Sequence, residues 1–393
     1  MRAPTWSPRT VGLAVLVVGL ALALLPSSGL LPAGWFAPTR ADAGPPTLPT
    51  RFAGYSYLTG DVSTSPPGRA VAVYQHGFDV EFLDAPQAVV AGADGDIYRR
   101  LDAAEARDRG SHGDPAVMRL SPDGTRVAIG DWDTTAPDVI VIDLTTGDAV
   151  TYPVPGGRSA VPLAWAPDSR RLAYLTTAEP VNPYSGRAVS GDLGLLDVTT
   201  GTAELVPGQD GARAAAFSPD GRELAVHRIT PDDGSLSGQD GIPRMGGGTV
   251  EVLTAGGTVD RRLAMPAHHY LHGPDAWSPD GALLATAVQW LPACEHLATD
   301  TREWGDCFND YTGPEDGIVF LDATGGDAAV PAPVPPDVVG WDGLLGWTGD
   351  REVLVLDAPA DPESAEDDLF WLTAVPLDGG EPRRLSGVPG GGN

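Results

Sequence analysis

The sequence predicts an all-β protein, a β-propeller of about six four-stranded blades, and three observations support this. A motif centred on Ser-Pro-Asp-Gly recurs along the chain at intervals of roughly 45 to 70 residues, which is typical of propellers and solenoids. After each copy come further β-rich runs with a second turn between them. None of these runs has the 3.6-residue period of a helix, and four strands per repeat is the content of a propeller blade.

Four copies of the motif are well preserved. They read VMRLSPDGTRVAI at 117–129, PLAWAPDSRRLAY at 162–174, AAAFSPDGRELAV at 214–226 and PDAWSPDGALLAT at 274–286. Degenerate copies at 64–73 and 345–355 bring the expected number of blades to six, with five or seven as alternatives.

The turn of the motif has a physical explanation. Proline presets φ at the first central position, the aspartate caps the turn, and glycine takes the left-handed position. We therefore interpret the turn residues as structural and predict no catalytic residue among them. They are Ser121, Pro122, Asp123, Gly124, Pro167, Asp168, Pro219, Asp220, Gly221, Pro279, Asp280 and Gly281. The large apolar residue before each turn, such as Trp165 or Trp277, is expected to wedge between neighbouring blades.

The motif W/F-S-P-D-G-x-x-L/V-A followed by L-x-D-x-x-T-G resembles the TolB-type, WD40-like propeller repeat. The resemblance covers roughly Arg51 to Val388 and implies a six-bladed propeller. It implies nothing specific about function, because one fold carries many activities.

The first 43 residues are predicted to form a transmembrane or signal helix. Arg2 and Arg9 precede an apolar segment from Val11 to Phe36, long enough to cross a membrane with the arginines on the cytoplasmic side. The alternative is a signal peptide cleaved after Ala43. Residues 44–50 are a Pro-rich linker, and residues 51–393 form the propeller. We expect a single-pass protein of the cell membrane with an extracytoplasmic propeller, or a secreted one.

The net charge of −28, from 25 basic and 53 acidic residues, argues against nucleic acid as a partner. It also disfavours contact with an anionic membrane surface, so membrane contact is expected only through the N-terminal helix. The expected partner is a protein or a cell-envelope component.

The insertion from Gln289 to Asp316 is the most distinctive departure from the repeat. It contains the two cysteines, Cys294 and Cys307, which we expect to form a disulfide in an oxidising compartment. Its aromatic residues are candidates for ligand binding, since aromatic loops on a rigid scaffold are common binding surfaces. They include Trp290, Trp304 and Tyr311. The alternative is a folded flap that covers a blade edge or the channel mouth.

Three other segments are weaker candidates for binding. The histidines His268, His269 and His272 are expected on or near a face of the propeller, as packing or a polar rim more than as metal ligands. Trp132 lies in an acidic loop. The insertion from Thr230 to Gly241 offers oxygen ligands of the kind that Ca²⁺ takes, but without the spacing of an EF-hand. We therefore predict no metal site and no cofactor, with Ca²⁺ as the alternative.

The sequence thus favours a non-catalytic, extracytoplasmic propeller that binds a protein or cell-envelope ligand through its loop-bearing face. The alternative is a propeller enzyme, a metal-dependent hydrolase or lyase with acidic residues in the central channel. The lining of the channel distinguishes the two. Acidic and histidine side chains that converge there would favour an enzyme, and small or apolar ones would favour binding.

Overall fold

The structure is a computed structural model of the 393-residue chain. It describes residues 48–53, 59–76, 87–95, 97–107, 117–130, 136–178, 190–228, 248–266, 269–288, 319–325, 330–331, 344–349, 351–357 and 369–389. The predicted N-terminal helix lies outside these residues. Within them, no helix is long and apolar enough to span a membrane.

The described residues form six antiparallel sheets, one for each blade. Blade 1 contains β1 (Ala70–His76), β2 (Gln87–Gly92) and β3 (Tyr98–Arg100), followed by the short helix α1 (Asp102–Ala106). Blade 2 contains β4 (Met118–Leu120), β5 (Arg126–Ile129), β6 (Asp138–Asp143) and β7 (Ala149–Pro153). Blade 3 contains β8 (Ser159–Trp165), β9 (Arg171–Thr177), β10 (Asp192–Asp197) and β11 (Thr202–Leu205).

Blade 4 contains β12 (Ala212–Phe217), β13 (Glu223–Arg228), β14 (Thr249–Thr254) and β15 (Val259–Ala264). Blade 5 contains β16 (His269–Leu271), β17 (Leu283–Val288), β18 (Val319–Asp322) and β19 (Val330–Pro331). Blade 6 contains β20 (Leu344–Gly349), β21 (Glu352–Asp357), β22 (Leu369–Pro376) and β23 (Arg383–Pro389).

This arrangement confirms the predicted all-β, six-bladed propeller. Blades 2 to 6 are four-stranded meanders in which each strand pairs with its neighbours in sequence. Blade 1 has three strands among the described residues, and Asp61 extends its outer edge through a parallel bridge to Arg100.

The strands are apolar on both faces because each blade is packed between two others. In β5, Val127 and Ile129 pack in a cluster with blade 1, whereas Ala128 between them packs in a cluster with blade 3. Successive side chains of a strand point to opposite faces of its sheet, so one apolar run serves two interfaces.

Six hydrophobic clusters join the blades in succession, and the sixth joins blade 6 to blade 1. The ring is therefore closed. Residues near the start of the described chain lie in this last junction. Phe52 packs between Ala91 of blade 1 and Leu372 of blade 6, and its backbone N–H donates to the carbonyl of Gly387 at 2.8 Å. We call residues 48–53 the seam segment.

The large apolar residues that precede the Ser-Pro-Asp-Gly turns contact neighbouring blades, as expected. The indole N–H of Trp165 donates to the Arg119 carbonyl of blade 2 at 2.9 Å, and that of Trp277 to the Ala216 carbonyl of blade 4 at 3.0 Å. Arginines in the same repeat position add a second link between blades. Arg126 donates to the Ser169 carbonyl of blade 3, and Arg171 to the Gly221 carbonyl of blade 4.

The two faces of the ring differ in their connections. In an antiparallel meander, the turn between the first and second strands and the turn between the third and fourth emerge at the same end. In blades 2 to 4, where the structure describes all of these turns, they are tight, and we call that end the turn face. The connections between the second and third strands emerge at the opposite end, the loop face. Strands that end on the loop face flank the long segments 178–191, 229–248 and 289–318.

Candidate ligand site at the axis of the ring

The first strands of blades 2 to 6 surround the axis of the ring. Contacts join β4 to β8, β8 to β12 and β12 to β16, and β1 of blade 1 contacts β4. Side chains on these strands are therefore the ones that approach the axis. Those of blades 2 and 5 approach from opposite sides, since they are three blades apart in a ring of six.

Blade 5 departs from the repeat at this innermost strand. The N–H of His272 donates to the Ala285 carbonyl at 3.2 Å, and the N–H of Ala285 donates to the Ala276 carbonyl at 2.7 Å. The chain thus leaves the β-ladder after His272 and rejoins it at Ala276. Gly273, with φ at +124°, makes the turn that this excursion requires. We call residues 272–275, His-Gly-Pro-Asp, the axial excursion.

His272 is largely buried at the start of the axial excursion. Its Nδ1 atom is buried and has no hydrogen-bond partner. Burial, together with the positive charge of Arg119, lowers the pKa of His272 to about 4. The imidazole is therefore neutral at pH 7, and one of its ring nitrogens is buried without a hydrogen-bond partner.

Asp275 ends the axial excursion. Its side chain is exposed to solvent, although many protein atoms lie around it. The enclosure raises the pKa of Asp275, and Arg119 opposes that rise. Neighbours from blade 6 hold the residue in place. The Trp347 indole donates to its carbonyl at 2.9 Å, and a Cβ on Gly346 would lie 3.3 Å from the Cβ of Asp275.

Arg119, on β4 of blade 2, completes the group from the other side of the axis. Its charge lowers the pKa values of both His272 and Asp275. Its guanidinium is oriented by two backbone carbonyls. Nε donates to Leu163 at 3.1 Å and Nη1 to Met118 at 3.3 Å.

A second arginine lies on the innermost strand of blade 4. Arg213 is the extra residue of a β-bulge between Ala212 and Ala214, and bulges commonly redirect a side chain. Its guanidinium carbon lies 5.7 Å from the ring centroid of Tyr270, which is on the innermost strand of blade 5. Burial lowers the pKa of Arg213 to about 10, and the residue remains a cation at pH 7.

These residues provide charge and hydrogen bonds in an enclosed space. Two arginines bring positive charge to the inner strands, the neutral imidazole can donate or accept a proton, and the carboxyl group takes up a proton more readily than in water. Among the residues that the structure describes, no group of three or more His, Cys, Asp or Glu side chains is arranged to hold a metal ion.

Part of the histidine segment, which was expected on or near a face, lies among the described residues. His269–Leu271 is the innermost strand of blade 5, which the chain enters after the last strand of blade 4. His269 is buried, and its Nδ1 lies 2.8 Å from Thr286 Oγ1. The Thr286 hydroxyl donates to the Val319 carbonyl, so Nδ1 of His269 carries the proton in this contact.

The remaining predicted binding residues lie outside the described residues. They are Trp132, His268, Trp290, Trp304, Tyr311, the pair Cys294 and Cys307, and the acidic insertion Thr230–Gly241.

Sequence reasoning missed Arg119, Arg213 and Tyr270, which look like ordinary strand residues. For Asp275, the spacing of the repeat could have indicated an unusual position. The fifth copy of the repeat is longer between its first strand and its turn than the other copies.

The turn aspartates all serve local geometry. In blades 2, 4 and 5 the aspartate accepts a hydrogen bond from the serine two residues earlier and from the backbone two residues later. These bonds hold the pKa values of Asp123, Asp220 and Asp280 below the usual range, although burial opposes the effect at Asp123. In blade 3, Ser169 takes the left-handed position with φ at +54°.

No protein-family model and no curated protein matches the chain. Among solved structures, it is similar to TolB from Acinetobacter baumannii, with 15% identity, a TM-score of 0.42, and coverage of 79% of this chain and 62% of that one. The chain thus spans less than two thirds of that TolB. It is also similar to an oligogalacturonate lyase in complex with manganese, with 14% identity, a TM-score of 0.46, and coverage of 86% and 78%.

A third similar structure is the acylaminoacyl peptidase of Pyrococcus horikoshii, with 13% identity, a TM-score of 0.40, and coverage of 68% of this chain and 39% of that one. These likenesses concern the fold. The chain is a six-bladed β-propeller whose repeat motif resembles the TolB-type repeat.

Proposed function

We propose that this chain is an extracytoplasmic binding protein whose loop face engages a protein or cell-envelope ligand. The observation that carries the proposal is the difference between the two faces. The turn face consists of tight turns whose polar side chains are used in local and inter-blade hydrogen bonds. The strands of the loop face flank long connections that depart from the repeat, and such connections on a rigid scaffold are where binding residues concentrate.

The test is partner capture by purified full-length protein from a cell-envelope extract, with a cytoplasmic extract in parallel. We expect a partner from the envelope extract alone, which is lost when residues 289–316 are replaced by a short Gly-Ser linker. The control is Arg222→Glu on the turn face, where the side chain is 85% exposed. If the linker variant is folded and captures the same partner as the control, the loop segment is not the binding surface.

The extracytoplasmic location has its own measurement. Mass spectrometry of the mature protein is expected to find either an intact apolar segment in the membrane fraction or an N-terminus at Gly44 after cleavage. Recovery of the intact chain from the soluble cytoplasmic fraction would contradict both outcomes.

A propeller enzyme is the second candidate, and the axial excursion favours it. His272 and Asp275 lie together near the axis, with shifted pKa values of the kind that general acids and bases need. The test is turnover of acidic oligosaccharides and of peptides, with and without added Mn²⁺ or Ca²⁺. Activity that is lost in both His272→Asn and Asp275→Asn would support the enzyme, whereas activity that survives both changes would exclude these residues from the chemistry.

A further inference from the structure

We propose that the inner edge of β1, where blade 1 meets blade 6, binds an extended segment of a partner protein. The bound segment adds to blade 1 as an innermost strand, which the described part of this blade does not contain. This surface is separate from the loop face, and the proposal goes beyond the function proposed for that face.

β1 occupies the position that the second strand has in the other blades. The turn Ser-Pro-Pro-Gly at 65–68 directly precedes β1, as Ser-Pro-Asp-Gly precedes β5 in blade 2. The N–H of Ala93, after β2, donates to the Arg69 carbonyl at 2.8 Å. The N–H of Leu144, after β6, donates in the same way to the Thr125 carbonyl at 2.8 Å. In blades 2 to 6 the second strand has a first strand on its inner side, whereas β1 is itself an edge of its sheet.

The residues that precede this turn lie at the opposite, outer edge of blade 1. The N–H of Arg100, on β3, donates to the Gly60 carbonyl at 3.0 Å, and the N–H of Val62 donates to the Arg100 carbonyl at 2.9 Å. Within the part of the chain that the structure describes, no strand pairs with the inner edge of β1. Because alternate residues of an antiparallel pair direct their N–H and C=O groups away from the partner, this edge presents main-chain donors and acceptors.

The exposure of β1 agrees with an uncovered inner edge. Residues 71–74, Val-Ala-Val-Tyr, are all partly exposed. The equivalent residues 127–129 of blade 2 and 172–175 of blade 3 are fully buried. In those blades a first strand lies on the inner side, so blade 1 exposes apolar surface that the other blades cover.

The side of blade 6 that faces blade 1 is exposed as well. On β21, Val353 and Val355 are fully buried against blade 5. Leu354 and Leu356 alternate with them, face blade 1 and are only partly buried. An apolar surface therefore lies beside the edge of β1, and strand addition uses both features, the edge for hydrogen bonds and the surface for side chains. We call the edge of β1 and this surface the open junction, whose partly exposed members include Val71, Ala72, Tyr74, Leu354 and Leu356.

The strands that fill this position in other blades indicate what the bound segment looks like. β8 has seven residues and β12 has six, and most of them are small or apolar. Each ends on a large aromatic residue, Trp165 or Phe217. The net charge of −28 favours basic residues on either side of the segment, because opposite charges attract the partner. The expected occupant is thus an extended apolar segment that ends in an aromatic residue and is flanked by lysine or arginine.

The test measures binding of the full-length protein to a fluorescent peptide based on β8, Lys-Lys-Ser-Ala-Val-Thr-Leu-Ala-Trp-Lys-Lys. Two further versions carry backbone N-methyl groups on one or the other set of alternate central residues. Only one set of N–H groups can face β1, so one version should bind about ten-fold or more weakly and the other like the parent. If both versions bind equally well, the peptide does not add as a strand and the proposal is wrong.

A version with glutamate in place of every lysine tests the charge of the partner. It should bind about ten-fold or more weakly than the parent peptide at low salt. Equal affinity of the two peptides would overturn the assignment of a basic partner.

Hydrogen exchange locates the bound peptide. Binding should slow exchange about ten-fold or more at those amides of residues 71–74 that point away from β2. It should leave β7 (Ala149–Pro153) unchanged, which is an exposed outer edge strand. Equal protection of both strands would mean unspecific adhesion to sheet edges. If the free protein already protects these amides as strongly as those of β5, another part of the chain fills the position. Either result would overturn the proposal.

Two matched substitutions test the open junction. Ala72→Arg places a long cation there and should weaken binding of the parent peptide about ten-fold or more. Val150→Arg makes the same change of charge on β7, where Val150 is 49% exposed, and should leave the affinity unchanged. Thermal unfolding checks that both variants fold, and the N-methylated peptides decide the question if Ala72→Arg does not. Equal affinities of two folded variants would contradict the assignment.

The result is independent of the loop face. The variant with residues 289–316 replaced by a linker should bind the parent peptide with wild-type affinity, whether or not it still captures a partner. Loss of peptide binding in this folded variant would assign the peptide to the loop segment instead of the open junction.

Discussion

Single residues at the axis set how this protein responds to acid. His272 has a folded-state pKa of about 4, against about 6.5 in an unfolded chain. Between these two values the unfolded state binds more protons than the folded state. The contribution of His272 to the free energy of unfolding is therefore fully present above pH 6.5 and is lost as the pH drops toward 4. The full difference corresponds to about 3 kcal/mol, since one pKa unit is worth about 1.4 kcal/mol.

We expect the variant His272→Asn to lose less stability than the wild type between pH 6.5 and pH 5. The measurement is the free energy of unfolding in urea at several pH values. The opposing contribution of Asp275 is present in both proteins and cancels in the comparison, and the turn aspartates titrate mainly below this range. Parallel pH profiles would show that His272 is not the group responsible.

Another residue-scale feature is the contact between Gly194 and Tyr174 on adjacent strands of blade 3. The two residues are opposite each other, and the ring of Tyr174 lies over the glycine. A Cβ at position 194 would lie 2.2 Å from Cζ of Tyr174, which is fully buried and has no free space to move into.

Gly194→Ala should therefore destabilise the protein by about 1–3 kcal/mol, the usual cost of overpacking a core. Thermal or urea unfolding measures the change. Gly256→Ala is the matched control, because a Cβ there meets only Thr254 Oγ1 at 3.8 Å, and it should be close to neutral. If both substitutions lowered the free energy of unfolding equally, the clash with Tyr174 would not be the cause.

At the scale of the element, the Ser-Pro-Asp-Gly turn explains how much of the fold was predictable. The hydrogen bonds within the turn join residues at most five positions apart, so the local sequence specifies most of its conformation. Alternating apolar runs around it then predict the strands. The axial excursion is different, since its partners come from blades 2 and 6. Which side chains meet across a ring depends on how six sheets close, and no local pattern contains that information.

The turn makes a direct prediction at this scale. Ser218 Oγ donates to the Asp220 carboxylate at 2.8 Å and accepts from the Glu223 N–H at 2.9 Å. Ser218→Ala removes both bonds from a buried position and should cost about 1–2 kcal/mol. Arg222→Ala, in the same turn but with an exposed side chain, should cost little. A loss at Arg222 as large as that at Ser218 would contradict this account of the turn.

At the scale of the whole molecule, the seam segment helps to join blade 6 to blade 1 and so to close the ring. Phe52 is buried against both blade 1 and blade 6, and the carbonyl of Ala53 accepts a hydrogen bond from the Tyr74 hydroxyl at 2.9 Å. These contacts tie the two ends of the propeller together.

Replacing Phe52 by Ala should lower the free energy of unfolding by about 3–5 kcal/mol, as for other buried aromatic residues. It should also increase hydrogen exchange in β1 and β23 before other strands are affected. Val150→Ala is the control, because Val150 is a valine with half of its surface exposed on the outer strand of blade 2. Uniform exchange across all blades would show that the seam is not a local weak point.

The seam segment has a consequence for how the chain folds during synthesis. Residues 51 and 387, which form a bridge, lie near opposite ends of the described sequence. The ribosome therefore releases Phe52 and the apolar face of blade 1 long before blade 6 exists to cover them. Contacts between such distant residues form slowly. Until they form, the first blade exposes an apolar surface to which other proteins can bind. Nascent chains that stop before blade 6 should consequently bind chaperones, and release should follow completion of the last strand.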